Sequence, residues 1–388
     1  MASYAGGPDI GFLTNASRSR VKFDFWLVIA AGLLITVGLY CLYSEGIHNK
    51  DGGSFFRKQM LFLGMGVAPF AAFAFMSPRI WMRAWPALYL VNIAGLVAVL
   101  VHGSAKNGAA RWIELGPIQF QPSEMAKILT VITLASFYVG RREAMEKLST
   151  FVLGLAHIAL PMLLIFLQPH TGAAMVIAVI WLAVSVVARV PFKFLGPFVA
   201  AVGLFVGIVA THPKAFPLLV HNYQLARMGA GVEKQKSKAG IPAKKNDYQT
   251  HQAEVAFGSG GVIGEGFLKG ERMKTIPEVE NDFVFTIAGE ELGLVGCTLI
   301  LAAFGFLFYR IWLVMLHATE PYYRMLAAGV LGILVFHTLI NLLMITGIIP
   351  VIGLWLPFMS YGGTALWLCM SCIGLVISVR RHERPILF

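Results

Sequence analysis

The sequence predicts an all-α polytopic membrane protein: ten transmembrane helices with a long extracytoplasmic loop between helices 7 and 8. Three observations lead there. Only 13% of the 388 residues are charged, against about 25% in an average soluble chain. Hydrophobic residues make up 57%, and mean hydropathy is +0.72. Ten apolar stretches are each long enough to cross a hydrocarbon core of roughly 30 Å.

The elements follow in order. A polar tail, residues 1–24, precedes the first span at 25–43; no small-residue cleavage site follows that apolar run, so a cleaved signal is not expected. Spans at 59–76, 85–102, 122–139, 151–167, 171–188 and 194–211 come next. After the long loop at 212–283 come spans at 284–309, 325–349 and 362–379, then a tail at 381–388. The sequence therefore reads as one membrane domain, 25–380, with no soluble domain, heptad array or internal repeat.

Charge sets the expected orientation. With the N-terminus in the cytoplasm, fifteen Lys and Arg flank the spans inside and five lie in the short outer loops. Long loops translocate largely regardless of charge, so the ten in the 212–281 segment do not count. Both termini are then cytoplasmic. The net charge of +11 divides into an inner share facing anionic headgroups and an outer run, KQKSKAGIPAKK at 234–245. That outer run is either a solvated loop or a basic collar for a phosphorylated lipid; nucleic acid is not an expected partner on that side. Cys41, Cys297, Cys369 and Cys372 all fall inside predicted spans, which argues against a disulfide framework.

Three outer segments are not ordinary loops. GSAKNGAARWIELGPIQFQ at 103–121 leads into Pro122 at a helix start. The second is the long loop. The third, PVIGLWLPFMSYGGT at 350–364, is apolar yet broken by Pro350, Gly353, Pro357, Gly362 and Gly363. An apolar segment that cannot stay helical reads as re-entrant, tolerated only where protein buries it or a wet cavity borders it. Together the three are expected to wall an outward-facing cavity.

Chemistry is sought among polar residues near that cavity. Of five aspartates, only Asp282 stands at the outer mouth of a span with aromatics following it, in ENDFVF. A helix start favours its charged form, and apolar neighbours disfavour it. It is either a poorly solvated base or a plain helix cap formed with Asn281. Glu290, eight residues on, would lie about 12 Å along the helix and some 80° around it, so it cannot pair with Asp282. Glu291 points to nearly the opposite face. Each is expected to meet a base or a backbone group on a neighbouring helix. Glu124 and Lys127, three apart in QPSEMAKI, share a helical face. Either they neutralise each other, or Lys127 meets a phosphate. Arg111 and Trp112 offer a guanidinium fork and an aromatic surface, although an interfacial Trp is also an ordinary anchor. The glycine-rich GSGGVIGEGFLKG at 258–270, with Ser259 and Gly260, is either a diphosphate cradle or a flexible turn. His212, His221 and His251 are spaced without a metal pattern.

Five stretches together resemble one family. They are NGAARWIELGPIQFQPSEMAK, QPHTG, YQTHQAEVAFGSGGVIGEGFLKG, ENDFVFTIAGEELGLVG and NLLMITGIIPVIGLWLPFMSYGG, in this order along nearly the whole chain. The resemblance is to the SEDS proteins (shape, elongation, division and sporulation), and within them to the RodA-like elongation members more than to the FtsW-like division members. It implies a peptidoglycan glycosyltransferase that polymerises lipid II at the outer face of the bacterial cytoplasmic membrane. It implies a catalytic role for Asp282 and substrate-binding roles for Glu124 and Lys127, with Arg111, Trp112, Gln252, Ser259 and Gly260 as further candidates. It also implies a class B penicillin-binding protein as partner, undecaprenyl diphosphate as leaving group and membrane lipids as surroundings. No cofactor is implied with certainty; a divalent cation, Mg2+ or Mn2+, suits a diphosphate leaving group. The chain departs from the family's usual QPDLG at His170 and Thr171, from QS at Ala253 and from GTQ at Glu271 and Arg272. Buried acids and broken helices also suit a lipid II flippase, although the expected symmetry-related repeats are not found. A non-catalytic scaffold would leave Asp282 dispensable.

Overall fold

The computed structural model describes residues 23–48, 53–106, 109–116, 118–211 and 245–383. Most of the N-terminal tail, the end of the C-terminal tail, His212, His221 and nearly all of the basic run at 234–245 lie outside the described residues. Twelve α-helices are described: α1 Phe25–His48, α2 Ser54–Phe75, α3 Pro78–Arg83, α4 Trp85–His102, α5 Pro122–Val139, α6 Leu148–Leu167, α7 Thr171–Val187, α8 Phe192–Thr211, α9 Lys245–Gly260, α10 Val284–His317, α11 Pro321–Ile345 and α12 Gly363–His382. Seven of them, α1, α2, α4, α6, α10, α11 and α12, are long and apolar enough to cross a membrane. The predicted spans at 122–139, 171–188 and 194–211 are also helical, as α5, α7 and α8.

The centre of the bundle is more polar than its rim. Nearly every residue of α5 is buried, including Ser123, Glu124, Lys127, Thr130 and Thr133, and α12 is buried along most of its length. Outer helices expose Leu61, Leu90, Phe192 and Leu299. Large apolar side chains facing outward while polar ones face in is the pattern lipid demands. The helices α2 and α12 pack closely because Gly374 lets the backbone of Phe70 approach; a Cβ there would lie 2.5 Å from the Phe70 carbonyl oxygen.

The structure corrects three expectations. The first outer segment is a small antiparallel sheet of three strands: Ser104–Lys106, Ala109–Leu115 and Ile118–Phe120. They are β1, β2 and β3, with Ser104 opposite Trp112 and Ile113 opposite Phe120. The long loop contains a helix, α9, and a 3-10 turn at Arg272–Thr275. The span expected at 325–349 ends at Ile345. Gly347, at φ +71°, takes the left-handed position after the helix. Its N–H donates to Met344 and that of Ile348 to Leu343, the paired bonds that close a helix on a glycine.

α10 is the most unusual element. It runs for 34 residues but is interrupted at Gly293, where φ is +63° and ψ −164°. A short buried helix up to Leu292 therefore precedes the spanning part, Leu294–His317. That part is long enough to span by itself, at about 36 Å.

Candidate functional site

The site is built at the end of the bundle that carries the segments at 104–120, 245–283 and 350–364. Between α11 and α12 the chain is non-helical and buried, with Leu354, Leu356, Phe358, Met359 and Ser360 all inside. This agrees with the reading of an apolar segment that cannot stay helical. Its backbone is held from several sides. Gln59 on α2 donates to the Ser360 carbonyl at 3.2 Å and accepts from the Gly362 N–H at 3.1 Å. The Tyr361 N–H donates to the Glu280 carbonyl at 2.9 Å, which joins this segment to the approach to α10.

Asp282 lies on that approach, half-buried, with α10 beginning at Val284. The N-cap position of this helix is Phe283, so Asn281 and Asp282 fall just before it and not at the cap and first helical positions. Beside Asp282 sits Glu280. Burial pushes its carboxyl up to about 7, and the carboxylates of Glu45, Glu278 and Asp282 add to the shift.

Asn341 fixes the position of this loop. Its side-chain amide donates to the Asp282 carbonyl at 2.8 Å and to the Leu354 carbonyl at 2.7 Å. One turn earlier on α11, His337 sits in a second buried cluster. Lys127, fully buried, donates to both Glu124 oxygens at 2.8 and 2.7 Å. Its Nζ is also 3.1 Å from His337 Nε2, and Nδ1 of that ring faces the Trp355 carbonyl at 3.4 Å. A lysine has only donors, so Nε2 accepts and the ring proton sits on Nδ1. The ring stacks on Trp355, with centroids 4.0 Å apart. Thus Lys127 meets Glu124, as the i,i+3 spacing allows, and not Glu290 or Glu291.

Those two acids have other partners. Glu290 accepts from the N–H groups of Glu271 and Arg272, both at 2.7 Å, and of Met273 at 2.9 Å. Glu291 accepts from Ser44 at 2.5 Å, from the Gly270 N–H at 3.3 Å and from the Tyr40 hydroxyl. Backbone and hydroxyl donors hold both carboxylates, and the loop that covers them is thereby tied to α10 and α1.

The glycine-rich stretch has a defined task. At the Gly293 break, the Glu290 and Glu291 carbonyls accept from the Glu265 and Gly266 N–H groups at 2.9 and 3.1 Å. The Leu294 and Val295 N–H groups donate to the Gly261 and Val262 carbonyls at 3.0 and 3.1 Å. The loop splices the interrupted helix and satisfies groups that an apolar medium would leave costly. Gly260 permits the close approach, since a Cβ would fall 2.1 Å from the Gly289 carbonyl oxygen. In this structure the Glu265 and Gly266 N–H groups are engaged by α10.

The remaining candidates are distributed around the same end. Arg111 on β2 donates to the Gln168 carbonyl at 3.1 Å and to that of Pro169, bracing the turn before α7. Trp112 is half-buried beside it. His170, where the departure from the family pattern occurs, is buried with Nδ1 3.3 Å from both Gln121 Nε2 and Ser123 Oγ. Gln252 on α9 accepts from the Thr275 hydroxyl at 3.1 Å, and the Ser259 hydroxyl donates to its own helix at the Ala256 carbonyl at 2.9 Å. The four cysteines are buried free thiols. Among the described residues, no three His, Cys, Asp or Glu side chains gather to hold a metal ion.

His337 and Asn341 escaped the sequence reading. Two polar residues four apart inside an apolar span were the available signal, because intramembrane polar groups need partners.

Comparison with known proteins places this architecture. Peptidoglycan glycosyltransferase MrdB of Escherichia coli (strain K12) is 32% identical over 360 residues, which is 92% of this chain and 93% of that protein. A chain from a solved peptidoglycan synthase complex, described as coordinating polymerization and crosslinking, superposes with a TM-score of 0.75 at 27% identity; the match covers 93% of this chain and 99% of that one. The crystal structure of the rod shape determining protein RodA of Thermus thermophilus gives 0.69 at 28% identity, covering 94% and 98%. The family model for FtsW, RodA and SpoVE, described as "Cell cycle protein", matches residues 19–385. A match over that length, on a helical bundle whose ends fold as these do, makes the chain a member of the FtsW/RodA/SpoVE family.

Proposed function

We propose that the chain is a peptidoglycan glycosyltransferase of the cytoplasmic membrane that polymerises lipid II during cell elongation, with Asp282 as its general base. The single observation that carries the residue assignment is the placing of Asp282: a half-buried acid whose main chain is clamped between α11 and the non-helical segment. A group held in this way meets a substrate with little reorganisation.

In the proposed topology, α1, α2, α4 to α8 and α10 to α12 are the ten spans. Both termini are cytoplasmic, and Asp282 faces outward. The 4-hydroxyl of one lipid II attacks the anomeric carbon of the lipid-linked strand. A C–O bond forms, the bond to undecaprenyl diphosphate breaks, and the hydroxyl proton passes to Asp282. Trp112 and Gln252, both partly exposed at this end, are the groups placed to meet sugar. Ser259 lines the same helix as Gln252. Glu124, Lys127, Arg111 and Gly260 are engaged within the protein, and in this reading Lys127 or Arg111 reaches the diphosphate only after giving up its present partner. A divalent cation, Mg2+ or Mn2+, brought with the substrate's diphosphate would neutralise the charge that develops on it as it leaves. The partner fits a class B penicillin-binding protein, in line with the synthase complex of the solved relative.

Purified chain with its partner, given lipid II, tests the reading. Wild type forms glycan polymer and Asp282→Asn forms none while remaining folded. Equal polymer from both removes Asp282 from the mechanism. Lipid II scrambling in liposomes without polymer makes the protein a flippase instead.

A further inference from the structure

At the end of the bundle opposite Asp282 lies a cavity of about 650 Å³, between the ends of α5 and α7 and the start of α11. Its volume falls within the range of small-molecule sites. Three arginines from three different elements line it: Arg142 after α5, Arg189 after α7, and Arg324 in the first turn of α11. Arg324 donates through Nη2 to the Ala318 carbonyl at 2.9 Å. Its Nε is buried and has no hydrogen-bond partner. Arg310 also has a buried Nε without an acceptor, so this feature supports an acceptor site only beside the three converging arginines. Acids also border the cavity, but they do not fill that role. Glu320 is held by Arg79 at 2.5 Å, and Glu143 and Glu146 are exposed at the rim.

Apolar lining comes from Met82, Met145, Val187 and Met325, beside Tyr138 and Tyr322. Three arginines line the cavity against three glutamates, one of them held by Arg79, which leaves a small cationic excess beside apolar walls; that matches one kind of ligand, a phosphate carried on a diacylglycerol. On the proposed topology this end faces the cytoplasm, where basic pockets between membrane helices bind such headgroups. The start of α11 opens here too, and a helix N-terminus favours an anion. We infer that this cavity is a binding site for an anionic glycerophospholipid, its phosphate held by Arg142, Arg189 and Arg324 and its acyl portion lying against the methionines. The site is separate from the chemistry proposed at Asp282.

The experiment uses the full chain, purified and stripped of lipid in detergent. Thermal unfolding is followed with added phosphatidylglycerol, phosphatidylcholine or inorganic phosphate at equal ionic strength, and native mass spectrometry counts bound lipid. Phosphatidylglycerol is expected to raise the midpoint by roughly 3 °C or more, and the other two to leave it unchanged. The double variant Arg142→Gln/Arg189→Gln, altered only at exposed positions, folds as wild type and binds phosphatidylglycerol about tenfold more weakly. Arg324→Gln weakens it similarly. An equal shift with phosphatidylcholine overturns the proposal, as does protection by inorganic phosphate alone. A phosphatidylglycerol shift unchanged in the double variant overturns it too.

Discussion

The side-chain amide of Asn341 holds the backbone carbonyl of Asp282 at 2.8 Å and, with its other N–H, the carbonyl of Leu354 at 2.7 Å. Four residues earlier, His337 turns toward the carbonyl of the next residue, Trp355. One face of α11 therefore fixes the loop that carries Asp282 and the adjoining non-helical chain. Asn341→Ala removes two buried hydrogen bonds, worth about 1–3 kcal/mol together. Asn341→Asp is worse, because it turns carboxylate oxygens toward two carbonyl oxygens. For both, the polymerisation rate is expected to fall by roughly a hundredfold, the cost of about 1 Å of misplacement at a reacting group. Initial rates of glycan formation measure this, with helix content checked by circular dichroism. A folded Asn341→Ala protein with the wild-type rate would show that the clamp has no part in the reaction.

The Glu124–Lys127 pair gives a second test. Both side chains are buried, at 1% and 0% exposure, so removing one partner strands a charge. Glu124→Gln and Lys127→Met are each expected to destabilise by about 3–5 kcal/mol, whereas the double replacement recovers most of that loss. Thermal unfolding of the four proteins closes the cycle, and polymerisation by the double variant separates the roles. Wild-type activity in a stable double variant would make the pair structural. Loss of activity with stability restored assigns Lys127 or Glu124 a part in handling the substrate.

The sequence was legible wherever one strong physical signal dominated. Apolar runs located helices at the ten predicted positions, seven of them long and apolar enough to cross a membrane, and i,i+3 spacing paired Glu124 with Lys127. Pro350, Gly353 and Pro357 marked the chain after α11 as non-helical. The sheet at 104–120 was not legible, since strands of three residues carry no period to read. The partners of Glu290 were hidden for a different reason. Its donors are the N–H groups of residues 271–273, and every residue but proline has one, so side-chain identity says nothing about them. The glycine-rich stretch announced an unusual backbone without saying whether a diphosphate or another piece of chain would meet it. His337 and Asn341 were visible as polar interruptions of an apolar span, but their partners lie 210 and 59 residues away.

Glu280 makes stability depend on pH. Burial raises its carboxyl from an ordinary 4.5 to about 7, so the folded chain keeps a proton that the unfolded chain has lost. An acid of this kind favours the folded state most at low pH, and its contribution declines as pH rises from about 4.5 through about 7. Wild type is therefore expected to lose thermal stability between pH 5 and pH 8 relative to Glu280→Gln, which cannot ionise. The two melting curves should converge near pH 4.5 and separate above pH 7, with the variant the more stable. Parallel curves across that range would mean that Glu280 is solvated like an ordinary surface acid.

The break in α10 gives the last prediction. Gly293 adopts φ +63° and ψ −164°, a conformation restricted almost entirely to glycine. A Cβ there would lie 2.3 Å from the Gly264 nitrogen and 2.7 Å from the Val262 carbonyl oxygen, both backbone atoms with no flexible end to move aside. Gly293→Ala therefore has two ways to respond. It can expel the 261–266 loop and straighten the helix, or it can fail to fold. Straightening would release the Glu265 and Gly266 N–H groups and pull Glu290 and Glu291 away from the 270–273 turn, disturbing the approach to Asp282 from its far side. The expected outcome is a protein with faster protease cleavage within 261–275 and no polymerising activity, even where membrane insertion is normal. Limited proteolysis in nanodiscs, read by mass spectrometry, checks it. Wild-type protection of that loop in Gly293→Ala would show that the splice tolerates a side chain, and that the glycine is not what breaks the helix.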